Sequence, residues 1–173
     1  MINNYFLQEA NLLDMSKEIF NSVVDENLKV ETRFQLLSSK IQDAETVNFI
    51  LADGLGFLNL QSTDSFLNEY INNSINTTFP SSTNVALTTI ATLKNPIEHG
   101  IFGYYMYDKL NYGLINALNW NAENKDLLQA DYFKNQSSVW NIFKESNIYA
   151  SNFQPKNLIN TPLSNFLYEE KST

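Results

Sequence analysis

The sequence predicts an α/β fold with a mainly parallel sheet flanked by helices. Three observations predict it. Residues 47–52 (Val-Asn-Phe-Ile-Leu-Ala) form a near-continuous apolar run that stops at Asp53-Gly54, the pattern of a strand buried on both faces. Beyond that run, stretches of helical spacing alternate with short β-rich stretches, the signature of a layered α/β domain. No linker or internal repeat divides the 173 residues, and 43% hydrophobic with 17% charged residues places the chain among globular domains with a real core.

The elements follow in order. Residues 1–45 read as a helical lead-in, because Leu12, Leu13, Ile19, Val23 and Val24 recur at roughly helical spacing. Ser16 is placed to start a helix, and a second short helix is expected over 33–41. The strand at 47–52 comes next, with Gly54 and Gly56 permitting a tight turn after it. Residues 65–72 read as a helix and 75–79 as a short second strand. Pro80 and the serines break that strand, and a helix follows from Thr83 or Asn84 to Leu93. Pro96 and Gly100 mark a loop. Residues 101–118 read as a hairpin turning at 108–111. Ser137 or Ser138 is placed to cap a helix through Glu145. Residues 148–153 are a strand candidate, and 164–170 a final helix.

Composition excludes several functions. The net charge is −8 and Arg33 is the only arginine, so a phosphate-tracking surface for duplex nucleic acid is not expected. An acidic chain can still take a small phosphate ester, since bound metal ions supply positive charge. With no cysteine there is no disulfide framework, thiolate zinc site or cysteine nucleophile. The N-terminus has neither the basic nor the apolar region of a secretory signal, and no apolar run approaches a membrane span. A cytoplasmic location and no membrane partner are therefore expected. Asparagine is about one residue in seven, a compositional bias that lowers the weight of any single Asn.

Two residues carry the chemistry. Asp53 directly follows the apolar run and so falls at the end of a strand, where ligands gather in α/β sheets; alternatively, Asp-Gly is simply a turn. Thr83 follows Phe79-Pro80-Ser81-Ser82 at the start of a helix. There, free N–H groups and a partial positive charge suit a phosphoryl oxygen. A threonine hydroxyl beside a metal ion is a competent nucleophile; alternatively, one of Ser81, Ser82 and Thr83 is merely the N-cap. His99, the single histidine, cannot make a histidine-rich zinc site and reads as a loop residue bonded to backbone. Tyr104, Tyr105, Tyr107 and Tyr112 fit cross-strand packing better than a stacking platform for a base. Asp14, Asp25, Asp43, Asp64, Asp126 and Asp131 are dispersed and read as solvated.

Taken together, Phe-Ile-Leu-Ala-Asp-Gly-Leu-Gly (49–56) and Phe-Pro-Ser-Ser-Thr-Asn-Val-Ala through Pro-Ile-Glu-His-Gly-Ile-Phe-Gly-Tyr (79–104) resemble the type I phosphodiesterase and nucleotide pyrophosphatase family of the alkaline phosphatase superfamily. The resemblance spans roughly residues 45–168. It implies that residues 46–173 are the N-terminal portion, about half, of an alkaline-phosphatase-like domain. It also implies that Asp53 is a metal ligand, that Thr83 is both nucleophile and metal ligand, and that the Asn84 backbone N–H holds a phosphoryl oxygen. Two divalent metals, usually zinc, a phospho-threonine intermediate and nucleotide-like phosphodiester or pyrophosphate substrates come with it. His99 matches a motif position that is not a metal ligand.

The sequence departs from the family pattern twice. Tyr104 stands where many members carry a phosphate-contacting asparagine, and no histidine follows His99 to complete the metal set. The isolated chain is therefore expected to be weakly active or inactive until a partner chain or a C-terminal half supplies ligands. The alternatives are a non-catalytic binding module of the same fold, or a phosphomonoesterase, sulfatase or mutase of the superfamily.

Overall fold

The computed structural model of the protein describes residues 9–37, 41, 44–108, 113–118, 121–122, 136–159 and 161–168. Helix α1 (Leu12–Asn21) begins at a capping box: the Asn11 side chain accepts from the Leu13 and Asp14 amides, and Asp14 accepts from the Asn11 amide. The start expected at Ser16 is therefore four residues late. Ser16 lies inside α1, buried, with its hydroxyl donating to the Leu12 carbonyl at 2.7 Å.

Residues 33–37 of the helix expected over 33–41 are not helical. Carboxylates of α1 capture that segment instead. Arg33 donates to both oxygens of Asp14 at 2.8 and 2.6 Å. The amides of Leu36 and Leu37 donate to Glu18 at 2.7 to 2.8 Å. Amides committed to a side chain cannot close helical turns. Asp14 is thus buried and paired, not solvated as its dispersed position suggested. Asp25 and Asp64 are exposed, and Asp43, Asp126 and Asp131 lie outside the described residues.

The sheet also differs from expectation. Among the described residues it is antiparallel, built from β1 (Tyr105–Asp108), β2 (Gly113–Asn116) and β3 (Asn121–Ala122) in the order β1-β2-β3. β1 and β2 form the anticipated hairpin, in register from Tyr105↔Asn116 to Asp108↔Gly113; most of its turn lies outside the described residues. The three other expected strands make no ladder among the described residues. Residues 47–52 are unpaired, with Ile50 86% exposed. Residues 75–79 contribute only an isolated parallel bridge, Asn76 with Asn11. Residues 148–153 present Tyr149 and Phe153 to solvent. An apolar run supplies the side chains of a strand, but a strand exists only where a neighbour accepts its hydrogen bonds.

Short helices fill the interval to the main one. α2 (Phe57–Gln61) precedes a 3₁₀ turn, Phe66–Tyr70, which stands where a helix over 65–72 was expected. Helix α3 (Thr83–Thr92) is the hub: it packs against α1, α4 (Pro96–His99), α5 (Val139–Glu145) and α6 (Pro162–Tyr168). Three apolar clusters meet along it. Val85 joins Ile101 and Ala117; Leu93 meets Phe20, Val24 and Val139; Ala91 meets Leu163 and Leu167. Its buried threonines satisfy their hydroxyls internally, Thr88 to the Asn84 carbonyl and Thr92 to that of Thr88, both at 2.7 Å. α5 follows Ser138, which is its N-cap by position but makes no side-chain capping bond.

Candidate active site at Asp53 and Thr83

Asp53 sits in the turn after the apolar run. The Leu55 amide donates to the Ala52 carbonyl at 3.3 Å, and Gly54 takes φ +76°. A residue with a side chain is strained at that angle, so glycine sets the turn that projects Asp53.

Thr83 is the first residue of α3. A cis peptide joins Phe79 to Pro80, and Ser82 is extended at the N-cap position with φ −129° and ψ 152°. The Ser82 side chain places no oxygen on the helix N–H groups. Its hydroxyl donates instead to Asn84 Oδ1 at 2.9 Å. The first turn of α3 therefore keeps amides uncapped by side chains, and the hydroxyl at its tip is that of Thr83. Thr83 Oγ1 donates to Asp53 Oδ2 at 3.1 Å. The tertiary fold thus brings together two sequence candidates thirty residues apart in the chain. Thr83 is half-buried and Asp53 exposed, so the pair is open to a ligand.

Asn84 is buried. Its carboxamide is engaged at both ends, accepting from Ser82 and donating through Nδ2 to the Gly103 carbonyl at 2.7 Å. The motif points only to the backbone of Asn84 and not to this side-chain role. Two glycines around 101–102 were the available signal that a loop there runs close to another element.

His99 is likewise more than a loop residue. It ends α4, which opens on a capping box between Asn95 and Glu98, and it is 1% exposed. Nδ1 accepts from the Ile101 amide at 3.1 Å, and Nε2 lies 3.0 Å from Thr89 Oγ1. Desolvation lowers its pKa to about 4; nearby Glu98 opposes the shift and Lys94 adds to it.

The tyrosines do not pack as expected. Tyr105 and Tyr107 lie on the outer face of β1, 64% and 58% exposed, across from Asn116 and Leu114. Tyr104 stands edge-on to Tyr105 at 5.2 Å. Tyr112 lies outside the described residues.

Asp53 and Thr83 offer a carboxylate and a hydroxyl, both oxygen donors suited to a divalent cation. Among the described residues no group of three His, Asp or Glu side chains could hold a metal ion. Two donors fall short of the four that zinc takes, so these residues by themselves do not make a metal centre. Among the described residues no helix is long and apolar enough to cross a membrane.

The family model for type I phosphodiesterase / nucleotide pyrophosphatase matches residues 47–169, more than half of the chain, and both Asp53 and Thr83 fall inside the match. No curated protein and no solved structure matches.

Proposed function

The chain belongs to the type I phosphodiesterase / nucleotide pyrophosphatase family, and from that premise we propose that it is the Thr83-bearing part of a hydrolase for phosphodiester or pyrophosphate bonds in nucleotide-like substrates. The observation that carries the proposal is the hydrogen bond from Thr83 Oγ1 to Asp53 Oδ2 at the uncapped start of α3. In this reading Thr83 Oγ1 attacks phosphorus. An O–P bond forms, the bond to the leaving alkoxide or phosphate breaks, and the hydroxyl proton passes to Asp53 and from there to the leaving oxygen. Water then cleaves the phospho-threonine and regenerates the hydroxyl. The Asn84 N–H is the proposed donor to a phosphoryl oxygen, reached from the Thr83 side because Asn84 itself is buried.

The resemblance assigns the family two divalent metals, with Asp53 and Thr83 among the ligands. The further donors would have to come from outside the described residues, so no step here is routed through a metal. Residues 46–173 are taken as the domain portion and 1–45 as its lead-in.

Thr83→Ala and Ser82→Ala, made in a form completed by the partner chain or C-terminal half that supplies the remaining metal ligands, separate nucleophile from neighbour, assayed on a chromogenic phosphodiester with added zinc. The expected outcome is turnover abolished by Thr83→Ala and retained by Ser82→Ala. Equal losses would move the nucleophile away from Thr83. That no group of three His, Cys, Asp or Glu side chains among the described residues could hold a metal ion favours a second reading, a non-catalytic module of the same family. Zinc titration of the isolated chain discriminates: weak binding is expected, and two tightly held equivalents would refute the two-donor account.

A further inference from the structure

We infer that His99 is a positioning residue for the Thr83 turn: it clips the loop 100–103 to the middle of α3, and the Gly103 carbonyl at the loop's far end holds the Asn84 side chain that shapes the turn. The inference rests on the reading of Thr83 as the reacting group.

The geometry is a closed chain of contacts. A nitrogen that accepts from a backbone N–H carries no proton, so the bond from the Ile101 amide to Nδ1 at 3.1 Å fixes the neutral ring with its proton on Nε2. That proton faces Thr89 Oγ1 at 3.0 Å. One ring thus holds the loop on one side and α3 on the other. Thr89 lies six residues along α3 from Thr83, about 9 Å down the axis. Ile101, fully buried, packs on Val85 of the same helix. Two residues later Gly103 accepts from Asn84 Nδ2 at 2.7 Å, and Asn84 Oδ1 accepts from Ser82 Oγ at 2.9 Å. The residues on both sides of Thr83 are therefore tied to a loop whose other end is tied to Thr89. A glutamine donates and accepts only from its one terminal amide, whereas the imidazole does so from opposite edges, which explains a buried histidine here.

The test is nuclear magnetic resonance on the isotopically labelled chain, with Thr89→Val, Thr89→Ser and His99→Gln. The wild-type ring is expected to show a protonated Nε2 and an unprotonated Nδ1. Thr89→Val keeps the side-chain shape and removes the hydroxyl. It is expected to speed hydrogen exchange of the Asn84 carboxamide and of the hydrogen-bonded Ala86 and Ile101 amides by about tenfold relative to those of α5, the equivalent of one hydrogen bond. Thr89→Ser, which keeps the hydroxyl, should restore protection, and His99→Gln should behave as Thr89→Val. A ring protonated on Nδ1, or exchange that rises equally across all helices in step with global stability, would overturn the inference. None of these readouts uses turnover, so they fail or succeed independently of the hydrolase reading, which the Thr83→Ala assay decides.

Discussion

Replacing Asn84 by alanine removes two hydrogen bonds at once, Ser82 Oγ to Oδ1 at 2.9 Å and Nδ2 to the Gly103 carbonyl at 2.7 Å. Each contributes about 1 kcal/mol net. Ser82 and Gly103 are only half-buried, so their freed groups regain water and add little further penalty. Asn84 is itself fully buried, and the lost side-chain volume leaves a small void costing under about 1 kcal/mol. The sum is about 2–3 kcal/mol. For a chain of this length each kcal/mol lowers Tm by about 2–4 °C, which gives a fall of about 5–10 °C. Urea unfolding followed by circular dichroism measures the free energy, and a thermal scan measures Tm. Ser82→Ala alone should lose about 1 kcal/mol, and the Ser82→Ala/Asn84→Ala double variant should lose less than the two singles added, by about 0.5–1 kcal/mol. A loss below about 0.5 kcal/mol for Asn84→Ala, or strict additivity with Ser82→Ala, would refute the claim that this side chain ties the turn to the loop.

Two further outcomes are expected. His99 is neutral in the fold with a pKa lowered to about 4, while the unfolded chain takes up a proton near 6.5. Between those values the unfolded state binds more protons, so stability rises with pH across that window and is lost as pH falls towards 4, by on the order of 2 kcal/mol; urea midpoints at pH 4.5 and 7 should show that slope, and His99→Gln should flatten it. Arg33→Ala leaves the buried Asp14 carboxylate without its cation; a loss of about 1–3 kcal/mol is expected, discounted because the Arg33 side chain is 41% exposed. In that variant Asp14→Asn should recover part of the loss, and no recovery would mean that Arg33 acts through packing alone.

Much of the helical structure was legible. The run after Phe-Pro reads as a helix from Thr83 or Asn84, and α3 covers Thr83–Thr92. The hairpin over 105–116 followed from two β-rich arms around a polar turn. The lead-in helix was legible in position but not in its start, since asparagine is so common here that the Asn11 cap carried no distinguishing signal. Residues 47–52 form no strand among the described residues, because an apolar run sets side-chain character and not backbone pairing.

The sequence by itself determined the local chemistry of this protein: a glycine turn that projects Asp53, a helix that begins at Thr83, and motif residues sufficient to place the chain in its family. These are short-range properties, set by dihedral preference and by the order of residues along a few turns. Only the tertiary structure decided what meets what. It set Thr83 Oγ1 against Asp53, turned Asn84 inward onto the Gly103 carbonyl, buried Asp14 under Arg33 and locked His99 between a loop and Thr89. Each of these joins residues through a directional bond between separate segments, and the local pattern of either segment carries no record of the other.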